Sequence, residues 1–153
     1  MNRLLQLGWS ARRRLLGLLR LRTRGVKIAL FDEAGALLLV RNSYGNSALW
    51  VFPGGGAGLR EDELSAAKRE LHEEVGIDAV ELTLIGRYES AAEGKRDRIS
   101  LYSGWTAGPL MPDSVEIAEA RFFAMDALPS ATSPATLRRI EEIRRGGPFG
   151  GAW

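Results

Sequence analysis

The chain has 153 residues, 45% of them hydrophobic and 26% charged, a composition that suits one globular domain with a single core and argues against a disordered chain. It contains no cysteine, which removes disulfides, thiolate metal sites and cysteine nucleophiles and leaves oxygens or His72 as metal donors. The formal charge of +2 conceals an asymmetry: Arg3, Arg12, Arg13, Arg14, Arg20, Arg22 and Arg24 precede Gly25 without one acid, so the remainder is net acidic, which argues against a nucleic-acid-binding core and for an acidic, metal-seeking domain behind a basic arm.

From Arg3 to Arg22 leucines and arginines alternate at near-helical spacing, the pattern of an amphipathic helix, and Gly8, Gly17 and Gly25 weaken or stop it. Arginines interrupt every leucine run, so no stretch reaches the roughly 18 to 20 apolar residues of a membrane span. A secretory leader is not expected for the same reason, and a cytoplasmic location follows, with peripheral membrane contact or dimerisation through residues 1–24 as options for the arm. GVKIALF then reads as a buried strand, DEAG as a turn and ALLLVR as the second strand of a hairpin. NSYGNS reads as a loop and LWVF as a short strand ended by Pro53 and three glycines.

A helix is predicted from about Glu61 to Val75, stopped by Gly76, with Leu64, Leu71 and Val75 as its buried stripe. VELTLIGRYES and RISLYSGWTA are strand-like and flank the charged loop AAEGKRDR, and EARFFA is a further strand. Ser133 and Pro134 open a last helix whose buried side carries Leu137 and Ile140 and which Gly146 ends. The organisation is therefore an arm over 1–24, a domain over 25–146 and an irregular tail over 147–153.

The informative stretch is PGGGAGLREDELSAAKRELHEEVGI, from Pro53 to Ile77. Glu70, Glu73 and Glu74 lie at i, i+3 and i+4, so three like charges share one helix face, turned away from the apolar stripe. Each such pair destabilises a free helix by roughly 0.2 to 0.5 kcal/mol, and a hard cation resolves the repulsion. Magnesium or manganese suits all-oxygen donors. Gly54, Gly55 and Gly56 let the backbone come close to a ligand, so a main-chain carbonyl could reach the same ion. Taken alone, a glycine run is an ordinary tight turn, and an acidic pair beside Arg69 is an ordinary salt-bridged face.

Together they resemble the Nudix box, whose pattern is G-x5-E-x7-R-E-U-x-E-E-x-G-U, with U aliphatic. Gly55, Glu61, Arg69, Glu70, Leu71, Glu73, Glu74, Gly76 and Ile77 meet every fixed position, a chance event on the order of one in 10⁹ at a given start. The resemblance implies a fold of α/β (α+β) class: an α/β/α sandwich with a mixed central sheet, to which this chain adds an N-terminal amphipathic helix. It implies a hydrolase that cleaves a diphosphate linkage with Mg²⁺ or Mn²⁺. Glu70, Glu73 and Glu74 would bind the metal with the Gly54 carbonyl as a further ligand. Arg69 and Glu61 would brace the loop against the helix, with Gly55 and Gly76 structural. Gly58 stands where many members carry an acid, and Arg60 where they carry glycine, which bears on substrate and rate more than on metal binding.

A general base must accept the proton of the attacking water. A box glutamate or an acid outside the box could serve; Glu116, in a polar turn before the last strand, is the choice outside it, ahead of Glu119 and Glu93. Lys95, Arg96, Arg98 and Arg41 offer positive charge to substrate phosphates, and Tyr44 offers a ring to a base, while Trp50 and Phe52 suit the core. His72 is a bystander. The substrate expected by default is a nucleoside diphosphate linked to another moiety, since the proline and tyrosine that mark two subclasses are absent around Glu93 to Lys95. A housecleaning nucleoside triphosphate pyrophosphohydrolase is the enzymatic alternative, and a non-catalytic nucleotide-binding module the alternative from another class. No specific nucleic-acid partner is expected.

Overall fold

The computed structural model describes residues 24–78, 80–90 and 97–153. The arm through residue 23, and with it the amphipathic helix expected there, lies outside the described residues, as do Glu93, Lys95 and Arg96. Seven strands form one mixed sheet: β1 (Arg24–Phe31), β2 (Leu37–Asn42), β3 (Gly56–Ala57), β4 (Leu82–Ser90), β5 (Asp97–Trp105), β6 (Ile117–Phe123) and β7 (Gly151–Ala152). Their order is β6-β2-β1-β5-β4-β7, with β3 attached to β1. β1 runs parallel to β5 along its whole length, from Arg24 opposite Arg98 to Phe31 opposite Trp105. The helices are α1 (Glu63–Val75) and α2 (Pro134–Arg145).

Strand alternation divides the core between the two faces of the sheet. Val26, Ile28 and Leu30 point with Leu38 and Val40 towards Ala66, Ala67, Leu71 and Val75 of α1. Ala29 and Phe31 point the other way, with Leu37, Leu39, Trp50, Phe52 and Leu101, towards Ile140 and Ile143 of α2. The expected α/β/α sandwich results. The hairpin turn is fixed by Asp32, whose side chain accepts from the amides of Ala34 and Ala36 at 2.9 and 2.8 Å.

Four local expectations require correction. Leu64 is 37% exposed: it overhangs the sheet at the first turn of α1, where its neighbour Glu63 instead accepts from Ser100 Oγ at 2.7 Å. Leu137 is 43% exposed, and α2 buries Thr136, Arg139 and Ile140. The LWVF run is not a strand; Val51 and Trp50 make single bridges to Val40 and Thr132 while Trp50 and Phe52 fill the core. The tail expected to be irregular contributes β7, parallel to Tyr88 and Glu89. It covers the outer edge of β4, which would otherwise expose a row of backbone donors and acceptors.

The tail is held by side chains as well as by β7. Arg139 donates to the Ala152 carbonyl at 2.8 Å and to Glu142 at 2.7 Å. Its guanidinium lies 4.4 Å from the Tyr88 ring centroid, and Trp153 meets that ring edge-on at 5.4 Å. Tyr88 donates to Glu142 at 2.6 Å; burial first, and Glu142 second, push its phenol well above the ordinary range.

The two faces of α2 predict contrasting substitutions. Ile140→Ala, emptying a 1% exposed site, is expected to lower unfolding free energy by about 2 to 5 kcal/mol. Leu137→Ala should change it by less than about 1 kcal/mol. Urea denaturation of both variants checks the assignment.

Candidate active site

Three pieces of chain build the site: β1, the Pro53–Ala57 loop and α1. The loop runs beside β1 as a substitute strand, because Ile28 and Val26 donate their amides to the carbonyls of Pro53 at 3.0 Å and Gly55 at 2.9 Å. α1 is started by Asp62, whose carboxylate accepts from the Ser65 amide at 2.9 Å, and closed by Gly76 in the left-handed conformation. The Ser65 hydroxyl is the first cause that holds the Asp62 carboxyl below its usual range.

Glu70 and Glu74 do not face solvent. They are 1% and 4% exposed, whereas the helical period alone places them opposite the apolar stripe. The reason is tertiary: the glycine loop closes over that side of α1. Gly54 donates its amide to Glu74 Oε2 at 2.9 Å. Its φ of 139° and its contact with β1, where an added Cβ would meet the Val26 carbonyl oxygen at 2.1 Å, require glycine. At Gly55 an added Cβ would meet all three carboxyl atoms of Glu70, at 2.6 to 2.8 Å. The Glu70 carboxylate thus lies against bare backbone.

Arg69 gathers the acids. It donates to both oxygens of Glu61 at 2.7 and 2.9 Å, to Glu70 at 2.8 Å, to Glu73 at 3.1 Å and to the Gly56 carbonyl at 2.9 Å. Glu61 is held below the ordinary carboxylate range first by Arg69 and then, against some desolvation, by the Gly58 amide. Arg24 ties the same loop down, donating to the carbonyls of Gly58 at 2.8 Å and Glu61 at 2.7 Å. As placed, no three acidic or histidine side chains among the described residues converge closely enough to hold one ion; Arg69 draws Glu70 and Glu73, and Gly54 draws Glu74. The donor set still fits a hard divalent cation, since three carboxylates share one helix face under a loop whose Gly54 leaves no room for a side chain.

Lys27 is a site residue that the sequence reading missed. It donates to the Phe52 carbonyl at 3.2 Å. Burial pushes its ammonium below the ordinary lysine range, and Glu74 and then Glu70 pull it back up. Lys27 lines a cleft of about 240 Å³ with Arg24, Gly55, Gly56, Ser90, Asp97 and Ile99. The available signal was one lysine inside an apolar strand.

A profile of the NUDIX domain matches residues 21–143. The chain belongs to the Nudix family. It is a pyrophosphohydrolase acting on phosphorus-containing anhydrides. It is 28% identical over 124 residues, 81% of each chain, to a Bacillus subtilis (strain 168) protein named as an 8-oxo-dGTP diphosphatase. It is 35% identical over 103 residues, 65% of this chain and 61% of the relative, to an uncharacterized Nudix hydrolase of Pseudomonas aeruginosa. The crystal structure of a MutT NUDIX hydrolase from Burkholderia pseudomallei superposes with a TM-score of 0.71 at 25% identity, covering 81% of this chain and 99% of that one.

The remaining expected residues of this Nudix chain are dispersed. The loop carrying Glu116 is pinned to the end of α1, with Asp113 donating to the Glu74 carbonyl at 2.9 Å and Met111 to that of Val75 at 2.8 Å. Glu116 itself is half-buried and accepts at its carbonyl from the Ser43 amide at 2.9 Å. Arg41 pairs with Glu119 at 2.8 Å and lies over the Trp50 ring at 5.4 Å. Arg98 stands 3.9 Å from Glu89 across β4 and β5. Tyr44 is exposed in the loop after β2. His72 pairs at the surface with Asp78 at 2.7 Å.

Two outcomes are expected. Because Glu61 is shifted down, the stability it contributes is complete above its ordinary value of 4.5 and is lost as pH falls through the lower folded-state value. Thermal melts of Glu61→Gln and the parent should therefore differ by a constant amount at neutral pH and converge in acid. Gly55→Ala should displace the Glu70 carboxylate and reduce turnover at least tenfold, with the far-ultraviolet dichroism of the parent retained.

Proposed function

We propose that this enzyme hydrolyses the diphosphate linkage of a nucleoside diphosphate joined to another moiety. The observation that carries the reading is the buried Glu70 and Glu74 pair under Gly54 and Gly55, with Glu73 beside them and Arg69 across them. In this reading Glu70, Glu73 and Glu74, with the Gly54 carbonyl, hold Mg²⁺ or Mn²⁺. The ion when bound offsets charge on the phosphate oxygens and makes bound water more acidic. Arg69 and Glu61 keep the acids at their positions as the loop and helix take up substrate. A box glutamate or Glu116 accepts the proton of the water that attacks phosphorus, and the bond to the bridging oxygen breaks, leaving its electron pair on the departing phosphate. Arg41, Arg98, Lys95 and Arg96 remain proposals for phosphate contact, and Tyr44 for stacking on a base.

Nucleoside triphosphates are the form of this substrate that two observations favour. The cleft of about 240 Å³ suits one nucleoside better than a dinucleotide, and the Bacillus subtilis relative is named for a nucleoside triphosphate substrate. Retention of all four box glutamates supports turnover over mere nucleotide binding.

The test is a screen of nucleoside triphosphates, oxidised deoxynucleoside triphosphates, nucleotide sugars and dinucleotides with magnesium or manganese, read by phosphate release after phosphatase treatment. Glu73→Gln and Glu74→Gln should each lower turnover of the established substrate by at least a hundredfold while the melting temperature stays within a few degrees. Near-parental turnover by either variant would remove that residue from the catalytic set.

A further inference from the structure

Strand β1 leaves an unusual cation beside the site. Position 27 shares its strand parity with Ala29 and Phe31, which pack into the α2-side core, so an apolar residue there would continue that face. Lys27, half-buried, instead puts an ammonium group at the wall of a cleft, where partial loss of hydration disfavours charge unless something compensates it. Among the described residues its hydrogen bonding consists of one 3.2 Å bond to the Phe52 carbonyl, while an ammonium has three donors. Glu74 and Glu70 attract it electrostatically, but Glu70 is hydrogen-bonded by Arg69 and Glu74 by the Gly54 amide. The lysine is anchored by the Phe52 carbonyl, and it lines the cleft with Gly55, Gly56 and Ile99.

We propose that Lys27 is a substrate-binding residue, donating its ammonium hydrogens to a phosphate oxygen of the diphosphate at the Gly55 and Gly56 wall of the cleft. This rests on the reading that the site takes a diphosphate. A cation that only neutralised Glu70 and Glu74 would have no need to line an open cleft, and a cation that only packed the core would be better replaced by a hydrocarbon. An anionic oxygen entering beside Gly55 supplies what the geometry lacks: a charged acceptor for the remaining donors. Lysine suits the task as a compact point charge, in contrast to the forked Arg69, which is committed to five acceptor atoms on four residues of the loop and helix.

The experiment compares the full chain with Lys27→Met, Lys27→Gln and Lys27→Arg. Binding of inorganic diphosphate in the presence of magnesium is measured by calorimetry at several salt concentrations, and KM and kcat are measured on the nucleotide found in the screen. The expected result is a dissociation constant for diphosphate raised at least tenfold in the methionine and glutamine variants, with a shallower salt dependence, and recovery to within about fivefold by arginine. KM should rise by a similar factor and kcat should change less, the pattern of a lost ground-state contact. The glutamine variant supplies the comparison if the methionine variant does not fold. Diphosphate binding within twofold of the parent in either neutral variant would overturn the proposal, as would the absence of saturable diphosphate binding by the parent. Weakened diphosphate binding in a protein that turns over no nucleotide would sink the functional reading and leave Lys27 assigned; unchanged binding beside robust turnover would do the reverse.

Discussion

The structure depends on keeping two carboxylates, Glu70 and Glu74, out of water on a helix that already carries Glu73. Burial of an unpaired carboxylate costs several kcal/mol, so such a face persists only when charge and hydrogen bonds offset the loss of hydration. Here the compensation comes from three directions: Arg69 from the same helix, the Gly54 amide from the loop, and the Lys27 ammonium from the strand. Each of these groups is held by a different element of the fold. The site is consequently an output of the whole fold, although its acids lie within five residues of one another.

That constraint explains the loop. At position 54 the loop has no room for a side chain, since a Cβ there would overlap a β1 carbonyl, and one at position 55 would displace the Glu70 carboxyl. The loop in turn needs β1 as a hydrogen-bonding partner, and β1 is kept straight by eight register pairs with β5. Arg24 and Arg69 then fasten the far end of the loop through the backbone of Gly58, Glu61 and Gly56. Positioning of this kind has a catalytic purpose in phosphoryl transfer, where preorganised charge supplies most of the acceleration and misplacement by about 1 Å is costly.

The opposite face of the sheet has a different task. Arg139, Tyr88, Glu142 and Trp153 join α2, β4 and β7 through one charge-assisted network and two ring contacts. It seals the outer strand that continues into Ser90 at the cleft wall. The tail therefore contributes to the same sheet that carries the site.

The sequence by itself determined the family and most of the strand and helix order, because box spacing, strand alternation and capping residues are local signals. Ser133, Pro134 and Gly146 marked the ends of α2, and Asp32 to Gly35 marked the hairpin, through turn and cap chemistry that a few adjacent residues specify. The tertiary structure decided which surfaces are covered. A helical period shows that Glu70 and Glu74 lie off the apolar stripe, but it cannot show that a loop packs on them and buries them. The same ignorance of what lies opposite made Leu64 and Leu137 look internal, hid the edge-covering role of Gly151 and Ala152, and left Lys27 unremarked. Its importance arises only because β1 is laid beside the glycine loop, and that juxtaposition joins residues more than twenty positions apart.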